Sequence, residues 1–141
     1  MLREPPVDDA ALATYRRVLD AVHAHSRELI PAAPTWQAGL YRSVVACYAA
    51  MRAEPDALRL HFVATMRDRE VLRTRLRHRD RLLALVAARA DAPEPLQAEF
   101  LLNLVHASMR TQIVAGATPP DLDAAEHTFA TILWRGAPVS G

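Results

Sequence analysis

The chain has 141 residues, 51% of them hydrophobic, and a formal net charge of +1. That length makes one domain with room for a real core, and the near-zero charge points to neither a polyanion nor a cation partner. All 17 basic residues are arginine and Cys47 is alone, which excludes Schiff-base and P-loop lysine chemistry and any internal disulfide.

Alanine, leucine and arginine dominate and only 4 glycines occur, a profile that favours helices. Residues 1–7 form a short, flexible, Pro-containing lead. The first helix is expected from about Asp8 to Ile30, with Leu12, Tyr15, Val18, Leu19, Val22 and Leu29 on its buried face. His23 and His25 are two apart, so they point in different directions and cannot share a metal.

PAAP at 31–34 breaks the chain, and Thr35 is the expected cap of a second helix over about 36–53. Trp36, Leu40, Val44, Cys47, Tyr48 and Met51 hold helical spacing, and Tyr41 and Val45 widen the stripe. Glu54-Pro55 ends that helix, because the residue before proline avoids the helical region. Pro55 opens a third helix to about 67, with Leu58, Phe62 and Met66 inward and His61 and Thr65 beside them. The fourth, RDREVLRTRLRHRDRLLALVAAR, shows Leu72, Leu76, Leu83 and Val86 as its apolar edge. No proline or glycine marks the boundary near 67–70, so one long bent helix is the alternative there.

DAPEP at 91–95 is the next break. Pro95 suits a first helical position. Leu96, Phe100, Leu101, Leu104, Val105, Ser108, Met109, Gln112 and Ile113 then recur at three- and four-residue steps. Gly116 and Pro119-Pro120 stop this fifth helix. Asp121 caps a sixth, with Leu122, Ala125, Phe129, Ile132 and Leu133 as its stripe and Gly136 at its end. The fifth helix carries more apolar surface than one neighbour can cover, so it is either central in a bundle or part of a subunit interface. Residues 138–141 are an expected disordered tail. The expected fold is all-α, a single helical domain over 8–137 with about six helices. No signal-peptide pattern and no apolar run of about 18 residues is found, so a soluble, cytoplasmic protein is expected.

Seven arginines lie between 67 and 81, and Arg69, Arg73, Arg77 and Arg81 would line one helical edge. That edge is either a phosphate grip or a solvated face with intrahelical ion pairs. The solvated face is the simpler reading, since no aromatic residues interleave the arginines. A second group, Trp36, Tyr41, Tyr48, His61, Phe62, Met66, Asn103, His106 and Met109, lies on the expected inner sides of helices two, three and five. An apolar cavity with a few convergent polar groups is how small-molecule sites are built. No zinc, nucleophile-elbow or glycine-rich phosphate motif occurs, so no catalytic residue, metal ligand or cofactor is implied. LRTRLRHRDRLLALVAAR loosely echoes the opening helix of helical chorismate mutases, but the lysine that family uses for substrate carboxylates has no counterpart here.

The order of elements resembles the C-terminal regulatory region of TetR-type transcriptional repressors over about 10–137. The resemblance rests on a long entry helix, a Trp-led helix running into EPDALRLHF, and an arginine-rich helix ending in LLALVAAR. FLLNLVHASMRTQI, a TPPD turn and HTFATILWRGA complete it. It implies that the last two helices pair with their copies in a homodimeric four-helix bundle, through Leu101, Leu102, Val105, Leu122, Phe129 and Leu133. It also implies that the preceding helices enclose a cavity for a small, mainly apolar ligand such as a secondary metabolite. The family's three-helix DNA-reading unit has only seven residues in its place, so no operator or membrane binding is expected. An antirepressor-like protein that pairs with a full-length regulator is the alternative. A cyclase or isomerase that reuses the cavity is a further one.

Overall fold

Prolines and short polar caps cut the chain into separate rods, because each either removes a helical N–H or satisfies one that would otherwise be orphaned. A computed structural model of the protein describes residues 7–62 and 68–114, with the backbone alone for 112–114. The described residues form five helices and no strand: α1 (Asp9–Ala32), α2 (Trp36–Arg52), α3 (Pro55–Phe62), α4 (Arg69–Ala87) and α5 (Pro95–Val114). The all-α expectation holds. The expected sixth helix with Asp121, Leu122, Ala125, Phe129, Ile132 and Leu133 lies outside the described residues. So do Thr65, Met66, Gly116, Gly136 and residues 138–141. No described helix is long and apolar enough to cross a membrane.

The caps carry the boundaries. Asp8 accepts from the Ala10 N–H at 2.8 Å, and Thr35 accepts from Ala38 at 3.2 Å, as its position predicts. Asp68, extended at φ −109° and ψ 122°, accepts from the N–H groups of Glu70 and Val71 and starts α4. This cap gives α4 its own start and decides against one long bent helix. Val7, expected in the flexible lead, packs on the core.

α1 is the rod against which α2, α3 and α4 pack, and α5 closes the far side against α2, α3 and α4. Tyr15, Val18, Leu19 and Val22 are buried as expected, with Ala11, Ser26 and Ile30 added to that face. Gly39 lets α2 cross α1 closely: a Cβ there would meet the Ile30 Cα at 3.1 Å and its carbonyl oxygen at 3.2 Å. A side chain there would need the α1 backbone to give by a few tenths of an ångström, so glycine suits that crossing.

α4 departs from the expected apolar edge. Its buried stripe is Val71, Thr74, His78, Leu82 and Val86, while Leu76 is 40% exposed and Leu72 and Leu83 are half-buried. Of the two polar residues on this face, His78 borders the site described below and Thr74 donates its hydroxyl to the Glu70 carbonyl at 2.7 Å. Its arginines mostly reach sideways. Arg81 pairs with Asp20 of α1 at 2.9 Å, and Arg79 with Glu99 of α5 at 3.0 Å. Glu70 pairs with both Arg16 and Arg73. Exposed pairs of this kind contribute little stability each, about 0–1 kcal/mol.

One arginine acts differently. The Arg89 guanidinium donates to the carbonyls of Ile30 at 2.6 Å and Ala33 at 2.9 Å, and pairs with Asp91 through two further N–H groups. The Ala33 N–H reaches the Ile30 carbonyl only at 3.4 Å and Pro34 has no N–H to give it, so Arg89 adds the short donor at this helix end. Asp91 in turn accepts from the Trp36 N–H at 3.0 Å. Hydrogen bonding from Arg89, and then from the Trp36 backbone, holds its carboxyl below the usual range. One ion pair thus joins the end of α1, the start of α2 and the end of α4. Arg89→Met should lower unfolding stability by about 1.5–3 kcal/mol, the range for hydrogen bonds to a charged group. Urea denaturation measures this; a loss near zero would show that the clamp contributes nothing.

Candidate functional site

Tyr15 projects inward from α1 and His61 from α3, where Ala57, Leu60 and Phe62 are buried beside it. Their hydroxyl and Nδ1 are 2.7 Å apart in the buried interior. Burial raises the Tyr15 pKa well above its ordinary value, with Cys47 adding to the effect, so the phenol keeps its proton. Burial pushes His61 well below the usual histidine range, helped by His106, His78 and Arg75, so the imidazole is neutral. The arrangement that satisfies both groups has the phenol donating to Nδ1. The ring proton then sits on Nε2, 3.8 Å from Cys47 Sγ, and the Cys47 thiol faces Met51 Sδ at 4.0 Å. Burial lifts the Cys47 thiol to about 12, so it is the small core residue expected and not a nucleophile.

Two more histidines stand against His61. The His106 ring centroid is 5.1 Å away and that of His78 is 6.2 Å away, both at 77°. Phe62 stacks on His106 at 4.9 Å and 14°, and Tyr48 meets Phe62 edge-on at 6.1 Å. Phe62 and Tyr48 therefore orient an imidazole instead of facing a cavity. Burial lowers His78 to about 4, with His23 and Arg81 adding to it. Burial lowers His106 to about 3, with Arg75 and Arg110 adding to it.

A cavity of about 40 Å³ lies beside these rings. α2 lines it with Val44 and Cys47, and α3 with His61. α4 supplies Arg75, His78, Arg79 and Leu82, and α5 supplies Leu102, Asn103 and His106. Asn103 is exposed and Arg79 is partly so, which places the mouth between α4 and α5. Among the side chains expected to bind a ligand, the cavity brings together His61, Asn103 and His106. Tyr41 and Met109 are buried in the core, while Trp36 and Tyr48 are half-buried against it. Met66 lies outside the described residues. Sequence reasoning misses the whole α4 contribution. Its signal is the four-residue spacing of Thr74, His78, Leu82 and Val86, which places a histidine on an otherwise inward stripe.

The residues expected at a dimer interface divide similarly. Leu101, Leu102 and Val105 are buried within the chain's own core. Leu122, Phe129 and Leu133 lie outside the described residues. Among the described residues, the exposed large apolar side chains of α5 are instead Leu96 (75%) and Phe100 (65%). Among the described residues, no group of three or more His, Cys, Asp or Glu is placed to hold a metal ion. No family model, curated protein or solved structure matches this chain.

The buried ring cluster sets both the stability of the interior and its response to acid. Tyr15→Phe leaves the His61 Nδ1 without its donor and should cost about 1–3 kcal/mol of unfolding free energy; an unchanged urea midpoint would mean that this bond is not formed. The histidine pKa values are lower in the folded state than the ordinary 6.5, so protons favour the unfolded chain. Their contribution is full above pH 6.5 and is lost as pH falls toward 4 and 3. His78 alone accounts for a loss on the order of 3 kcal/mol at pH 4. Urea midpoints at pH 7, 5.5 and 4 should fall in that order, less steeply in His78→Gln; identical slopes for the two proteins contradict it.

Proposed function

We propose that this chain is a ligand-sensing, dimerising domain of the kind that forms the regulatory half of TetR-type repressors. The single observation that carries this reading is the polar-lined cavity that α2, α3, α4 and α5 enclose around His61. Such a site recognises a molecule more than it transforms one. His61 is engaged by Tyr15 and faces Cys47, and His78 and His106 are held at pKa values too low for a general base near neutral pH. The enzyme reading therefore gains no support.

The chamber of about 40 Å³ is well below the roughly 300–1,000 Å³ of drug-sized ligand pockets. It suits the end of a small molecule, with the remainder lying at the mouth by Asn103. Val44, Leu82 and Leu102 offer apolar contact on one side, and imidazole and guanidinium groups stand on the other. The ligand is then amphiphilic, not wholly apolar. Exposed Leu96 and Phe100 favour a packing partner on α5, which is a second copy of the chain in the leading reading. A full-length regulator on the same face is the antirepressor form of the same idea.

A thermal-shift screen of small metabolites tests the sensor. A true ligand at 100 times its Kd should add about 2.7 kcal/mol of stability. Asn103→Trp, which places a bulky ring at the mouth on an exposed position, should abolish that gain. If no compound stabilises the wild-type chain more than it stabilises Asn103→Trp, the sensing role is ruled out. Light scattering tests the dimer separately: Phe100→Glu should shift the population to monomer, and a wild type that is monomeric at micromolar concentration rules the dimer out.

A further inference from the structure

The cavity lining carries two guanidinium groups, from Arg75 and Arg79, and no carboxylate. Three of the polar atoms on its lining side chains are buried without a hydrogen-bond partner: His78 Nδ1, Arg79 Nε and His106 Nε2. Buried polar atoms of folded proteins are satisfied in the great majority of cases, so three from one small lining need a common explanation. Arg79 shows the direction of that need. Its Nη2 pairs with Glu99 at 3.0 Å on the rim, whereas its Nε, 3.9 Å from Asp80 Oδ1, makes no hydrogen bond.

We propose that the cavity seats the carboxylate of a small organic acid, which accepts hydrogen bonds from Arg79 Nε, His78 Nδ1 and His106 Nε2. This rests on the sensing role proposed above and names the ligand class. The chemistry selects an anion. Arg79 Nε can only donate, and a neutral imidazole can place its proton on whichever nitrogen faces an acceptor. A carboxylate is acceptor-only, with four lone-pair sites, so it can satisfy three donors at once. The Arg75 guanidinium on the same lining disfavours a cation. Burial first, and then Arg75 and Arg110, keep the His106 ring from taking up a proton. Val44, Leu82 and Leu102 give the aliphatic carbons next to the carboxylate an apolar wall.

Calorimetric titration of the full chain with hexanoate, hexanamide and inorganic phosphate tests the proposal. Hexanoate should bind at least tenfold more tightly than the neutral amide and than phosphate. Arg79→Gln should remove most of that preference, while Arg81→Gln, which changes a surface charge paired with Asp20, should leave it intact. Nitrogen-15 shifts of the His78 and His106 rings should move on adding hexanoate and stay fixed on adding hexanamide; this readout does not depend on the stability of any substituted protein. Equal binding of hexanoate and hexanamide overturns the carboxylate assignment and leaves a sensor of neutral molecules. Preference for phosphate overturns it in favour of a phosphorylated ligand. Ring nitrogens unmoved by every probe mean that water alone satisfies them, and then the anion seat fails; if the small-metabolite screen also finds nothing, the sensing role fails with it.

Discussion

The bond between Tyr15 and His61 is the constraint that the rest of the interior accommodates. It joins residues 46 apart and ties α3 to the second turn of α1. The position of α3 comes from what it buries: Ala57, Leu60, Phe62 and the His61 ring itself. Once that ring is fixed in one tautomer, its neighbours have little freedom. Phe62 stacks on His106, and His78 faces His61 from α4. A polar bond in a low-dielectric interior is stronger than the same bond in water, and leaving it half-made is correspondingly costly.

Local rules read most of the fold from sequence because helix starts and stops are local chemistry. Thr35 and Pro55, and the breaks at 31–34 and 91–95, act through one or two residues on either side, and the observed helices begin where they predict. Asp68 is equally local, and an aspartate two residues before Glu70 is the sign of the α4 start. The buried stripe of α4 is harder to read. Leucines draw the eye to 72, 76 and 83, yet the interior takes 71, 74, 78, 82 and 86. Hydrophobicity ranks Thr74 and His78 as surface residues. They are inside because Thr74 returns its hydroxyl to the Glu70 carbonyl at 2.7 Å and His78 lies against another ring. The ring contact is tertiary, so no window of sequence contains it.

The same limit explains the candidate site. His61, Asn103 and His106 are legible because polar residues in apolar helices need a reason to be there. Trp36, Tyr41, Tyr48 and Phe62 share that apolar patterning, but an aromatic residue serves equally as core, as ring support or as cavity wall. Only the direction of the side chain decides, and direction depends on the crossing angle of the helices. That angle comes from Gly39 at the α1–α2 approach and from the Arg89–Asp91 clamp. Neither is visible as a determinant of the site until three helix ends are brought to one place.

α5 joins the two halves of the functional argument. Its inner face, Ala98, Leu101, Leu102, Val105 and Met109, completes the core. Its outer face carries Leu96, Phe100 and Asn103 at steps of four and three, which places them on one stripe. Phe100 is 65% exposed, and Asn103, one turn on, stands at the cavity mouth. A partner that covers Phe100 therefore lies next to whatever occupies the mouth. Burying two such side chains favours association by roughly 25 cal/mol per Å² of apolar surface. A ligand that changes the tilt of α5 alters how much of that surface is covered. Within the proposed reading, this shared ridge couples the two sites without any long pathway: each ligand acts on the same rod, and coupling of this kind is reciprocal.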